Sequence, residues 1–212
     1  MAAWTEVAPR LDLDHLTAGG ADVLPLLAYR LSTLGVDHPL LPSMVSIQRH
    51  TWYANQLLLH QLSTQLQWTR REPPVVFGQA ATAIAYVPTV ALRRIHRIEP
   101  QRRWRESTLE TSLHGVTVRV PAPAHHTFDM LMRHWWVDAA CAARHSAMDW
   151  DLFVATAQAR GPALVAGRLA MLADIAGPET VPTAVQRQLS RRSTRAVRQF
   201  AVRSLLRARH RL

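Results

Sequence analysis

The sequence predicts a mixed α/β fold in which a small sheet is flanked by N-terminal and C-terminal helices. Three observations support this prediction. Apolar residues recur at helical spacing through residues 11–68. A short apolar run at residues 75–77 and an alternating pattern at residues 108–120 are typical of strands. From Pro121 onward the pattern is helical again. We therefore divide the chain into an N-terminal helical region (1–72), an α/β core (73–121) and a C-terminal helical region (122–212).

The N-terminal region predicts one or two helices over residues 11–36 and a longer one over residues 44–68. The first run ends near Gly35, and two prolines then interrupt the chain. Ser43 stands just before the second run, where its hydroxyl is expected to cap a free backbone N–H. The residues expected to line the buried stripe of the second helix are Val45, Trp52, Leu58, Leu59, Leu62 and Leu66.

The central region predicts the elements of the sheet. The run Val75–Phe77 lies between proline and glycine, as expected of a central strand. Gly78 then forms a turn into two helical turns over residues 79–86, and residues 91–99 predict a second strand. The alternating residues 108–120 predict a hairpin that turns at His114 and Gly115.

The C-terminal region predicts helices over residues 125–145, 148–160 and 162–176. Gly177 and Pro178 are a helix stop signal. Three tryptophans in this region are expected to anchor the core because their rings bury large apolar areas: Trp135, Trp136 and Trp150. Cys141 lies in an alanine-rich run and is expected to be buried and inert.

Positive charge is concentrated at the C-terminus. All 25 Lys+Arg residues are arginine, and the formal net charge is +10. Residues 187–212 carry nine arginines and no acidic residue. Such a segment would bind nucleic acid, an anionic surface or an acidic partner. The alternative is a helix face that is simply solvated.

Composition also excludes several classes of protein. A single cysteine excludes an internal disulfide framework and indicates a reducing compartment. No apolar run reaches the roughly 18 residues of a membrane span, and the first residues lack the pattern of a secretion signal. We therefore expect a soluble cytoplasmic protein.

A cluster of arginines follows the second predicted strand. Arg93, Arg94 and Arg97 lie on that strand, and three more arginines follow by position 105. Together they would bind a phosphate or a carboxylate without metal. Alternatively, most of them are solvated or paired with nearby glutamates. His96 and Glu99 are a candidate acid–base pair, although positions i and i+3 of a strand face opposite sides.

Histidines and aspartates in the C-terminal region are candidate metal ligands, but they match no compact zinc signature. His134 and Asp138, four residues apart, are expected to share a helix face. We expect these residues to cap helices or face the core. The full set is His125, His126, Asp129, His134, Asp138 and His145.

The order of these pieces resembles an uncharacterised nucleotidyltransferase family related to toxin-type and minimal nucleotidyltransferases. The resemblance covers roughly residues 22–190. The matching pieces are Val75-Val76-Phe77-Gly78, Ala80-Ala81, Tyr86, Pro88, Ala91-Leu92-Arg93, Arg97-Ile98-Glu99, Trp136-Val137-Asp138-Ala139-Ala140, Met148-Asp149-Trp150-Asp151 and Val181-Pro182. The resemblance implies a nucleotidyltransferase-like sheet, with Gly78 and Glu99 at positions of the family's active site.

The sequence departs from the family pattern where the chemistry of the family takes place. Phe77 replaces the family's lysine, Arg97 replaces its first aspartate, and Glu99 replaces the second. A helix of the usual core is also missing before the strand that carries Arg119. Two carboxylates at i and i+2 face the same side of a strand and together hold Mg²⁺. A single carboxylate beside an arginine is a poor metal site, so no metal ligands are assigned.

Three functional hypotheses follow. In the first, a divergent nucleotidyltransferase-like protein has lost the carboxylate pair. It then binds an anionic small molecule, a peptide or a protein partner through Gly78, Arg93, Arg94, Arg97 and Arg119, or has acquired another activity such as peptide natural-product tailoring. In the second, an active enzyme uses Mg²⁺ with Glu99 and a further carboxylate such as Asp129 or Asp138. In the third, the arginine-rich end binds nucleic acid.

Overall fold

The computed structural model of the chain describes residues 2–67, 73–86, 92, 98–99 and 108–191. The helices are α1 (Ala2–Val7), α2 (Ala18–Thr33), α3 (Leu41–Leu66), α4 (Gln79–Ala81), α5 (Pro123–Met132), α6 (Trp136–Ala143), α7 (Trp150–Arg160), α8 (Pro162–Ala176) and α9 (residues 183–191). The strands are β1 (Val75–Val76), β2 (Ile98–Glu99), β3 (Thr108–Leu113) and β4 (Val116–Pro121). The predicted mixed α/β fold, with a small sheet between two sets of helices, is confirmed.

The four strands form one sheet in the order β2-β1-β4-β3. β1 pairs antiparallel with β2 and parallel with β4, while β3 and β4 form an antiparallel hairpin. The hairpin turns at His114 and Gly115, whose φ values of 46° and 81° are those of a type I′ turn. The predicted hairpin turn is therefore confirmed. Of the predicted strand over residues 91–99, the structure describes strand pairing at Ile98–Glu99, whereas residues 91 and 93–97 lie outside the described residues.

Apolar side chains gather in three clusters, and α3 contributes to two of them. Near its start, Met44 packs with Leu24 and Leu31 of α2. Further along, Leu59 and Leu62 pack against the side chains of β1 and β4. The third cluster joins the C-terminal helices; its largest fully buried members are Phe153, Met130, Leu131, Leu169, Leu172 and Leu189. Within the described residues, no helix has the length and apolar character needed to cross a bilayer.

Two predictions for α3 are wrong. The helix begins at Leu41, so Ser43 lies inside its first turn and does not cap it. Pro42 is tolerated in that turn because the first helical N–H groups have no intrahelical partner. The exposed fraction of Trp52 is 42%, although Trp52 was expected in the buried stripe. Asn55 is buried instead, and its Oδ1 accepts a hydrogen bond from the backbone N–H of Leu92 at 2.9 Å.

The helix predicted over residues 125–145 is interrupted at His134. α5 ends at Met132 and α6 begins at Trp136. His134 has a φ of 62°, a left-handed conformation that a continuous helix does not allow. The N–H of Trp135 turns back to the carbonyl of Met130 at 3.0 Å, which closes the first helix. His134 and Asp138 therefore do not share a helix face, and that prediction is wrong.

The two predicted helix ends are confirmed. α2 ends at Thr33 and is followed by Gly35 with a φ of 65°. α8 ends at Ala176, and Gly177 has a φ of 98°. Arg144 holds the turn at Gly177. Its guanidinium donates to the carbonyl of Ala176, to Glu179 Oε1 at 3.0 Å and to Thr180 Oγ1 at 3.1 Å.

The turn after β1 generates a stability prediction. Gly78 is buried and has φ 69° and ψ −151°, a conformation that is essentially restricted to glycine. Replacing Gly78 with alanine is therefore expected to lower the free energy of unfolding by about 1–3 kcal/mol. Urea denaturation would measure the change.

Gly167→Ala is the matched control for this substitution. Gly167 lies inside α8, and no atom lies within 4 Å of the position its Cβ would occupy. Alanine is expected to stabilise that helix by up to about 1 kcal/mol. Equal effects of the two substitutions would contradict the backbone argument for Gly78.

Candidate functional site

The sheet brings two of the predicted site residues onto one cross-strand row. Val75 of β1 is in register with Glu99 of β2 on one side and with Arg119 of β4 on the other. Because neighbouring strands are about 4.8 Å apart, the main chains of Glu99 and Arg119 are about 10 Å apart across the sheet. Arg119 is in turn in register with Glu110 of β3. The row therefore reads Glu99, Val75, Arg119, Glu110.

Arg119 is the best-defined predicted ligand residue. Its backbone N–H donates to the carbonyl of Pro74 at 2.9 Å, which holds β4 beside β1. Its guanidinium contacts Glu110 Oε2 at 3.5 Å, and the side chains are 27% and 58% exposed. A pair of this length and exposure contributes little to stability. The sheet thus fixes the backbone of Arg119. Its guanidinium extends to Glu110 on β3, an edge strand of the sheet.

Gly78 lies at the other end of β1 from Glu99. The antiparallel register sets Glu99 level with Val75, three residues before Gly78. At about 3.3 Å per residue this is about 10 Å along the strand. Gly78 leads directly into α4, which continues as a π-helical turn over Thr82–Tyr86. The remaining predicted site residues, His96, Arg93, Arg94 and Arg97, lie outside the described residues.

The alternative carboxylates belong to the C-terminal helices. Asp129 forms an ion pair with Arg133 at 3.1 Å near the end of α5. Asp138 is buried on α6, as expected of a core-facing residue. Burial and then the Asp138 carboxylate raise the pKa of Cys141 to about 12, which keeps its thiol protonated. Cys141 itself is half-buried. Within the ranges that the structure describes, no three His, Cys, Asp or Glu side chains converge as metal ligands would.

A buried polar cluster that the sequence analysis did not identify joins the sheet to the C-terminal helices. His126 Nε2 lies 2.8 Å from Thr82 Oγ1, and both side chains are buried. The ring of Tyr86 stacks on His126 with centroids 5.1 Å apart. The Tyr86 hydroxyl donates to the carbonyl of Pro121 at 2.6 Å, and His145 contacts the Tyr86 ring edge-on.

This cluster holds the π-helical turn in place. Single π-turns are rare and often occur at functional sites, and this one lies between β1 and the start of α5. His126 is 1% exposed and Thr82 is fully buried, so a substrate has no access to their shared proton. Their contact is therefore a structural tie. The core-facing role predicted for His126 is confirmed, whereas its partner 44 residues away has no local sequence signal.

Burial sets the protonation of this histidine. It lowers the pKa of His126 to about 3, so the imidazole is neutral near pH 7. His125 on the same helix is half-buried, and burial followed by the charge of Arg160 also lowers its pKa. Burial raises the pKa of Tyr86, so its hydroxyl remains a hydrogen-bond donor.

Comparison of the chain with protein-family models, with curated proteins and with solved structures finds no match.

A pH dependence of stability follows from His126. The unfolded side chain binds a proton near pH 6.5, and the folded one only near pH 3. The unfolded state binds more protons between these values, so the free energy of unfolding falls as the pH falls through this window. The slope from one such group is up to about 1.4 kcal/mol per pH unit. Urea denaturation from pH 7 to pH 4 would measure it.

The variant His126→Gln tests the assignment. The variant is expected to be less stable than the parent at pH 7, because it changes a buried hydrogen bond. Its free energy of unfolding should, however, change less with pH than that of the parent. A smaller slope from His125 should remain. His50→Gln, at an exposed position of α3, is the control and should keep the parent slope. An unchanged slope in His126→Gln would contradict the assignment.

Proposed function

We propose that this chain is a divergent nucleotidyltransferase-like protein whose sheet binds an anionic ligand through arginine, without the metal chemistry of that family. The anionic ligand would be a small molecule, a peptide or an acidic segment of a protein partner. The observation that carries the proposal is the cross-strand row, in which Arg119 lies two strands from Glu99 with only Val75 between them.

The charges of this row favour an anion over a divalent cation. Mg²⁺ prefers several oxygen ligands at near-octahedral geometry. In this sequence Arg97 lies two residues before Glu99. In the sheet, Arg119 lies two strands away from Glu99 in the same cross-strand row. Both guanidinium groups stay charged at any ordinary pH and would repel a bound cation. The donor set does not suit Mg²⁺, and we derive no step through a metal.

Arg119 has the properties that anion binding needs. A guanidinium presents a planar fork of N–H donors that matches a carboxylate or a phosphate. Its β-strand and the hydrogen bond to Pro74 fix the backbone from which the fork extends. The contact with Glu110 is long and largely exposed. An anionic ligand would therefore displace Glu110 at little cost.

The same geometry supports binding of an anionic peptide. Such binding would be the first step of an activity such as natural-product tailoring. Glu99 and His96 are the candidate acid–base groups for such an activity. Glu99 is placed in the row by its backbone, and His96 lies outside the described residues. Binding is therefore the part of the proposal to test first.

Nucleotidyl transfer separates the proposal from the active-enzyme alternative. Labelled NTPs would be incubated with the chain, with Mg²⁺ or Mn²⁺, and with RNA or cell-extract protein as acceptor. We expect no transfer above background for the parent or for Glu99→Ala, because a paired carboxylate is missing. Transfer by the parent that disappears in Glu99→Ala would instead support a metal-dependent enzyme.

Metal-free binding of pyrophosphate tests the role of Arg119. Titration calorimetry in EDTA would compare the parent with Arg119→Gln. A charge-assisted hydrogen bond contributes about 1.5–3 kcal/mol, so we expect Arg119→Gln to weaken binding about tenfold or more. Arg133→Gln, which removes an exposed arginine just after α5, is the control and should bind like the parent. Equal affinity of Arg119→Gln and the parent would contradict the proposal.

A second candidate function, nucleic-acid binding, is favoured by α9. Val185 and Leu189 are buried in the C-terminal core, while Arg187 and Arg191 are exposed one turn apart. The two arginines border a shallow groove of about 360 Å³. Guanidinium groups on a docked helix would track a phosphate backbone. Residues 192–212, which carry all of the remaining arginines of this segment, lie outside the described residues.

Salt dependence tests this candidate. Binding of a labelled RNA oligomer would be measured at several salt concentrations for the parent and for the double variant Arg187→Gln/Arg191→Gln. Each arginine–phosphate interaction contributes about 0.7 to 0.9 to the magnitude of the slope of log K against log salt. The double variant, which removes two, should therefore lower that magnitude by about 1.4 to 1.8. Arg30→Gln, exposed on α2, is the control. A truncation should end after Arg191, since one after Pro182 would remove buried Val185 and Leu189.

A further inference from the structure

Apart from the exposed Asp174 and the half-buried Arg168, helix α8 is apolar, and only one side of it packs in the core. Its buried side carries Val165, Leu169 and Leu172. Its other side exposes Leu164, Met171 and Ile175 by 50%, 50% and 61%. A surface helix normally keeps its large apolar side chains on the side that faces the core, with polar residues on the opposite side. The exposed side of α8 therefore has the composition of an interface.

Small residues alternate with these large ones. Ala163, Gly167 and Ala170 are exposed on the same side, and no atom lies within 4 Å of the position a Gly167 Cβ would take. Together with Leu164, Met171, Asp174 and Ile175 they form what we call the α8 face, of which Asp174 is the charged member. Small residues at the centre allow another helix to approach closely.

We propose that two copies of this chain pair through the α8 face, with the two α8 helices antiparallel and crossing at Gly167. Antiparallel pairing about Gly167 sets Leu164 of one copy opposite Ala170 of the other. It also sets Met171 opposite Ala163. Leu164 and Met171 then each meet a small side chain. This complementarity of the face with itself is what an isologous two-fold interface requires.

Charge selects the antiparallel orientation. A parallel pair would place Asp174 beside Asp174 of the other copy, which is unfavourable. The antiparallel pair places Asp174 of each copy near the N-terminus of the other α8. That terminus has no side-chain cap within the described structure, and its first intrahelical hydrogen bond runs from the N–H of Val165 to Gly161. A carboxylate is favourable beside such free N–H groups.

The size of the face sets the expected affinity. A helix of 15 residues is about 22 Å long. One such helix buries less than the roughly 800 Å² per partner of a standard interface. We therefore expect a weak dimer, with a dissociation constant in the range of about 1–100 μM, as for small transient interfaces.

Sedimentation velocity of the full chain over a concentration series tests the pairing. The parent is expected to shift from monomer to dimer in the stated range. Gly167→Leu fills the crossing point but has open space around it in the monomer. It should weaken dimerisation at least tenfold without lowering the melting temperature. Ala155→Leu, which adds a leucine at an exposed position of α7, is the matched control and should dimerise like the parent.

Disulfide cross-linking tests the orientation. Single cysteines would be placed at 164, 167 or 171 of the full chain, in a Cys141→Ala background. In the antiparallel pair only the two residues at position 167 meet. Those at 164 and at 171 are offset along the axis by about 9 Å and 12 Å, beyond disulfide reach. Cross-linking at all three positions would overturn the antiparallel arrangement.

The concentration of about 0.5 mM is well above the dissociation constant expected for so small an interface. A chain that stays monomeric at this concentration would overturn the proposal. The proposal is also overturned if the chain stays monomeric because residues 192–212 cover the α8 face within one copy. Dimerisation unchanged by Gly167→Leu would show that the copies pair elsewhere, and would overturn it as well.

Discussion

The pairing of Val75 with strands on both sides is the constraint on which the described sheet depends. β1 has only two residues, yet it joins β2 to the β3–β4 hairpin. Its parallel pairing with β4 connects residues that are more than 40 positions apart, and the Arg119–Pro74 hydrogen bond fixes that pairing. Parallel strands require a crossover connection. Thr82 lies in the chain between β1 and β4, and its contact with His126 ties this part of the chain to α5.

The features predictable from sequence are those set by local backbone chemistry. The hairpin turn at Gly115 and the helix end at Gly177 follow from glycine's access to positive φ, and the structure has both. His134 shows the limit of such reasoning. It adopts the left-handed conformation without being glycine, because the chain must turn between α5 and α6. Trp52 shows another limit, since helical spacing gives a face but does not say how much of it the rest of the fold covers.

The candidate site could be predicted only as a list of residues, without its geometry. Glu99 and Arg119 stand out in the sequence as a carboxylate and a guanidinium near strand ends. Their placement in one row depends on strand order and register, which are tertiary properties. The direction of β2 matters most. Because β2 runs antiparallel to β1, Glu99 is level with the start of β1 and Gly78 lies beyond its end. The backbones of the glycine turn and of Glu99 are therefore about 10 Å apart along the strand.

Burial and charge divide the molecule into parts with different chemical roles. His126 and Tyr86, two titratable groups whose pKa values are shifted by burial, are tied to each other and to the backbone, so they serve stability. The arginines to which the proposals assign anion binding are Arg119 on β4, an inner strand of the sheet, and Arg187 on α9. The α8 face lacks positive charge and suits another apolar helix. In the two proposals the anionic ligand contacts β4 and the second copy contacts α8, so the residues that each would use do not overlap.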